Sequence, residues 1–158
     1  MKKMLTALFV LAFALGAAFA ASTTGNAKAE IIAPLSVAQT RQMDFGKIVQ
    51  DATGGNVVLG SNGVATSSLI LVGATAAGEF EVLGQPSQNV TVSLPSTISL
   101  SDGLSGSMTI SSLTMSKSAT HALDGTGESV FTVGGTLAVG ASQDVGVYTG
   151  TYTVTVNY

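Results

Sequence analysis

The chain contains no cysteine and no tryptophan, only three prolines, one histidine, and charged side chains at 9% of its 158 positions. Without cysteine there is no disulfide, no thiolate nucleophile and no cysteine ligand for zinc, so stability must come from burial and strand pairing. One histidine leaves no multi-histidine metal set. Beyond residue 20 only Lys28, Arg41, Lys47 and Lys117 are basic, against nine acidic side chains, for a net charge of −5. Phosphate backbones are bound by clustered Lys and Arg, so nucleic acid is excluded as a partner. Low charge also marks disordered chains, but those are poor in apolar residues and this one is 46% hydrophobic.

The first twenty residues follow a three-part pattern. Lys2 and Lys3 form a short basic region, residues 5–17 carry no charge, and Ala18-Phe19-Ala20 is a small-x-small site. This predicts a signal peptide over residues 1–20, cleaved after Ala20, and hence a secreted protein of the periplasm, cell surface or medium with no membrane span after cleavage. Residues 21–28 read as a flexible polar leader. Residues 29–158 are the right length for a single domain with one core.

That domain shows no sustained helical period. Apolar residues alternate with polar ones, and Gly, Asn, Asp and Pro interrupt them every eight to twelve residues, the rhythm of a sandwich or barrel. Nine to eleven short strands are expected. The first spans 29–37, with Ile31, Ala33, Leu35 and Val37 on one face and Pro34, which cannot donate a ladder hydrogen bond, opposite. The second spans 43–49, broken by Gly46. "SLILV" at 68–72 reads as a buried central strand, and 117–126 as the longest loop. Gly134-Gly135 is either a hairpin turn or a bulge within one strand. The final strand, 147–158, sorts Tyr148, Tyr152, Val154, Val156 and Tyr158 onto one face.

No residue pattern calls for chemistry. His121 lies near Ser118 and Asp124 without the strained Gly-x-Ser-x-Gly elbow of a serine hydrolase, and reads as a solvated loop histidine. Glu79 and Glu81 face the same way on a strand, as a glycosidase pair would, but equally as the wet face opposite Phe80 and Val82. Single aspartates in turns lack the spacing of a calcium loop. No catalytic, cofactor or metal site is expected, and the protein reads as no enzyme.

Three segments carry a resemblance: "AEIIAPLSVAQTRQMDFGKIV" (29–49), "VFTVGGTLAVG" (130–140) and "GVYTGTYTVTVNY" (146–158). In order and spacing they resemble DUF4402, a bacterial family of exported proteins. More distantly, the chain is similar to chaperone–usher pilin subunits and spore-coat-U-like proteins, from which it departs in having no cysteine pair and no long alternating extension before Ala29. The resemblance implies an all-β, immunoglobulin-like antiparallel β-sandwich that builds a fimbria-like fibre or coat by β-strand complementation. The implied partners are copies of itself, related surface subunits and a periplasmic chaperone. Ile31, Ala33, Leu35 and Val37 are the expected strand donor, and the aromatic terminal face is what a neighbouring strand would cover. The competing expectation is a monomeric secreted adhesion module that binds carbohydrate or cell wall.

Overall fold

The computed structural model describes residues 20–158, so the expected signal peptide lies outside the described residues except for Ala20. The chain divides into two units, Met1–Ile31 and Ile32–Tyr158. In the first, residues 20–31 are exposed and have no regular secondary structure. The second contains twelve strands and, among the described residues, no helix. They are β1 (Ser36–Arg41), β2 (Lys47–Ile48), β3 (Gly55–Leu59), β4 (Ala65–Ser67), β5 (Leu71–Val72), β6 (Gly78–Leu83), β7 (Asn89–Ser93), β8 (Thr97–Ser101), β9 (Ser107–Met115), β10 (Thr120–Ala122), β11 (Glu128–Val139) and β12 (Thr155–Asn157).

All pairings are antiparallel, and the fold is an all-β sandwich. Its organiser is the twelve-residue β11. The first half of β11 pairs with β6 (Phe131 opposite Phe80) and its second half with β3 (Leu137 opposite Val57). Val133 through Ala138 also pair with β9. Beyond these, β1 adds to β6, β4 to β3 and β8 to β9, making a seven-stranded sheet. A second sheet, β10-β7-β12, packs on it, and a two-stranded ribbon, β2-β5, completes the domain.

Alternation along these strands produces two hydrophobic cores. One joins Phe45, Val57, Leu59, Leu69, Ile98, Ile110 and Leu137; the other joins Phe80, Val82, Val90, Val92, Leu123, Phe131 and Val133. Phe80 and Phe131 stack with centroids 5.6 Å apart. Met43, Leu113 and Tyr152 pack against both cores. The opposite face of the large sheet is rich in hydroxyls: Thr97, Ser111, Thr136 and Thr66 lie in one row across five strands, interrupted only by Val58 on β3. These hydroxyls take the place that charge occupies on most soluble sheets.

The structure revises several strand expectations. The first ladder begins at Ser36 rather than at residue 29, two residues after Pro34, which has no N–H to offer. In the second, only Lys47–Ile48 form a strand, because Gly46 takes φ +72° and turns the chain after the Asp44–Ala76 bridge. Residues 68–72 are not a central strand: only Leu71–Val72 pair, Leu69 is buried, and Ile70 is 67% exposed. A ribbon lying on one core has a wet side, so a continuous apolar run does not make it central. Residues 117–126 contain β10 rather than forming one long loop. The double glycine is a bulge, since the β9 register shifts between Gly134 and Thr136 while β11 continues.

At that bulge a side chain on Gly134 would run into the Leu59 carbonyl oxygen. We therefore expect Gly134→Ala to cost about 1–3 kcal/mol through overpacking and Phe131→Ala about 3–5 kcal/mol through the cavity it leaves. Both are measured as shifts in the urea midpoint at unchanged slope.

Candidate functional site: an open seam in the sandwich

Between residues 42–50 and residues 143–152 runs a groove of about 850 Å³. Its floor is the flank of the first core, with Ile98 and Leu100 of β8, Met108 and Ile110 of β9, and Leu137 and Val139 of β11. Leu100, Met108 and Val139 are only half-buried there. The rim is polar, carrying Gln42, Asp44, Lys47, Gln50, Gln143 and Asp144.

Both lips are thinly paired. Residues 44–49 bond along one edge only, to residues 70–76, and belong to a sheet of two strands. On the other lip, Thr149 pairs with Ser101 and Thr155 with Ser93. Between them, residues 150–154 form no backbone hydrogen bond among the described residues. Most amides in a folded sheet have a partner, yet residues 150–152 of this stretch line the apolar trough without one. Tyr148 braces this lip: its hydroxyl donates to the Asp144 carbonyl at 2.9 Å and accepts from Gln143 Nε2 at 2.8 Å. Beside it, Val145 and Val147 are 84% and 80% exposed.

The terminal aromatic face is real but only partly a strand. Tyr152, Val154 and Val156 are half-buried with exposed residues between them, yet only Thr155–Asn157 join a ladder. Tyr152 meets Phe80 edge-on at 5.9 Å, and its hydroxyl is buried with no hydrogen-bond partner among the described residues. Burial pushes this phenol up to about 12. Tyr158, nearly half exposed, is better served: its hydroxyl accepts from the Gln85 amide at 2.7 Å and donates to the Ala33 carbonyl at 2.8 Å.

The four residues expected to act as a strand donor part company. Val37 lies in β1 opposite Val82, Leu35 packs against the second core, and Ala33 is held at both ends, its amide by Gln85 at 3.0 Å and its carbonyl by Tyr158. Only Ile31, 97% exposed, is uncommitted. The set therefore divides at Ala33, because Leu35 is spent on the chain's own core.

His121 is not a solvated loop residue. It sits half-buried on β10 with its ring edge toward Phe131, and its Nε2 lies 2.8 Å from the hydroxyl of Ser129. Its Nδ1 is 2.9 Å from the Ser118 carbonyl, which can only accept, so Nδ1 carries a proton, and in the neutral ring that leaves Nε2 to accept from the Ser129 hydroxyl. Ser129 in turn accepts from Lys117 Nζ at 2.8 Å. Sequence proximity suggested Ser118 and Asp124 as partners. The strand pairing instead brings in Ser129 of β11, and Asp124 is occupied elsewhere. Ser129 is 3% exposed, so this relay of three polar side chains ties strand ends together with its hydroxyl out of reach of solvent.

The carboxylates serve local structure. Asp124 accepts from the amides of Glu128 and Thr126 and from the Thr126 hydroxyl, and Asp51 from the hydroxyl and amide of Thr53. These bonds hold both carboxyls below their ordinary value, that to Glu128 being the largest for Asp124 and the Thr53 hydroxyl for Asp51. Glu79 pairs with Arg41 at 3.0 Å on the outer side of β6, opposite buried Phe80 and Val82, as the wet-face reading requires. Among the described residues no three His, Cys, Asp or Glu side chains gather into a metal cluster.

The two tyrosines predict opposite outcomes. Tyr152→Phe removes an unpartnered buried hydroxyl and should leave stability unchanged or raised, whereas Tyr158→Phe breaks two hydrogen bonds and should cost about 1 kcal/mol in urea denaturation. Because burial favours the neutral phenol, Tyr152 contributes fully below its ordinary value of 10.0, and that contribution fades as pH rises toward about 12. In the Tyr152→Phe variant the fall in stability over that range should be smaller.

No curated protein and no solved structure matches the chain. A family model does, described as Domain of unknown function (DUF4402), over residues 35–158. The match begins where Leu35 enters the core and takes in both lips of the groove, and the chain therefore belongs to the DUF4402 family.

Proposed function

We propose that this is an exported, non-catalytic structural subunit that assembles with copies of itself or with related surface subunits by taking an added β-strand into the groove. The observation that carries this reading is the coincidence of an apolar trough with residues 150–152 on its lip, which form no backbone hydrogen bond among the described residues. An incoming strand answers both at once: its backbone pairs along residues 150–152 while alternate side chains cover Leu100, Met108 and Val139. Each apolar side chain so buried contributes about 1.5–3 kcal/mol.

A second reading, a self-contained secreted binding module, draws support from β1, which pairs within its own chain. The two separate on assembly. Residues 21–158 should form concentration-dependent oligomers by light scattering and electron microscopy. Leu100→Lys, placed at a half-buried groove position, should leave them monomeric with unchanged far-ultraviolet circular dichroism. A parent chain that stays monomeric at all accessible concentrations, or oligomers indifferent to Leu100→Lys, would contradict the assembly reading.

A further inference from the structure

We infer that residues 144–148 are a strap that moves between the open position of the structure and a closed one, in which Val145 and Val147 cover the groove floor. The inference names a regulator of the site proposed above, and only its consequence for assembly rests on that reading. The strap is rooted at both ends. On one side the Ser142 amide donates to the Asp51 carbonyl at 2.8 Å and Gln50 Nε2 donates to the Gln143 carbonyl at 3.0 Å. On the other, Thr149 exchanges two backbone hydrogen bonds of 2.9 Å with Ser101. Between these roots residues 144–148 form no backbone–backbone hydrogen bond among the described residues, and all five line the groove. A segment with so few backbone bonds rearranges at the low end of a fold's range of local stability.

The side chains of the strap are set for closure. Val145 and Val147 are 84% and 80% exposed, beside a floor on which Leu100, Met108 and Val139 are only half-buried. Two residues apart, the valines face the same way when the strap is extended. Exposed apolar surfaces on strap and floor lower their free energy by meeting. What opposes them is one clasp. The Tyr148 hydroxyl donates to the Asp144 carbonyl and accepts from Gln143 Nε2, so a single phenol ties the last residue of the strap to its first and to the root before it. Burial of two valines favours the closed position; two hydrogen bonds and the freedom of five residues favour the open one. These terms are of comparable size, so neither position is locked. Closed, the strap fills the trough that an incoming strand would use. A partner must displace it, and the population of the closed position therefore sets the partner's apparent affinity.

Two methionines report the strap's position in dilute, monomeric chain, so the test does not depend on assembly. Met108 lies on the groove floor, whereas Met115 packs against the second core, does not line the groove and serves as the reference. Residues 21–158 are treated with hydrogen peroxide, and sulfoxide at each position is followed by mass spectrometry. Tyr148→Phe removes the clasp, and oxidation of Met108 relative to Met115 should slow by about threefold or more as the closed position gains population. Adding Val145→Ser and Val147→Ser should abolish that slowing. Unchanged or faster oxidation of Met108 in Tyr148→Phe would overturn the strap, and so would a slowing that survives the loss of both valines. In concentrated chain, Tyr148→Phe should weaken the oligomers and the two serines should restore them. Oligomers sensitive to Leu100→Lys, beside a Met108 indifferent to the clasp, would remove the strap and leave the groove reading standing. A clasp-dependent Met108 in a parent that never assembles would remove the groove reading and leave the strap.

Discussion

Everything in this fold depends on one strand being paired along both edges. With no cross-link available, β11 gathers the domain: β6 and β3 share its length and β9 pairs alongside, while its inward residues Phe131, Val133 and Leu137 are almost completely buried in two cores. The bulge at Gly134 makes this arrangement workable. It shifts the β9 register in mid-strand and lets the backbone approach Leu59 where a side chain would collide, so one strand serves two cores.

The same economy explains the edge. Strands near β11 are paired on both sides, whereas the segments before β3 and after β11 must close the sandwich with what remains. The N-terminal lip finds only a two-stranded ribbon, and the C-terminal lip finds one bridge at Thr149 and a short ladder at Thr155–Asn157. A sheet edge left open over apolar side chains is a liability unless a partner covers it. The polar rim, the brace at Tyr148 and the hydroxyl-rich outer face of the large sheet all set uncharged polar groups beside apolar surface in a chain with little charge.

Much of this was legible in the sequence, and the failures have physical causes. Alternation gave the all-β class, the inward set on β6 and the aromatic face at 152–156, because a period of two is a direct consequence of the pleat. It misplaced the first strand because alternation continues through residues 29–37 although Pro34 and the anchoring of Leu35 divide them between leader and domain. It made residues 68–72 central because four consecutive apolar residues look alike in a buried strand and in a ribbon with one wet side. His121 was misread since its partner, Ser129, comes from the neighbouring region of β11 by tertiary pairing, which sequence distance alone cannot rank above Ser118 or Asp124. The groove itself had no local signature. It arises between segments a hundred residues apart, and only the motif set shared with the family hinted that these two ends act together.

The central claim is that the sandwich is unclosed along residues 150–154, and amide hydrogen exchange in dilute, monomeric chain tests it most directly. Amides of residues 151–154 should exchange at nearly the rate of an unstructured peptide, while those of Val133 and Leu137 on β11 should be slowed by several orders of magnitude. Protection of 151–154 equal to that of β11 under monomeric conditions would show that the chain closes its own seam and would contradict the account.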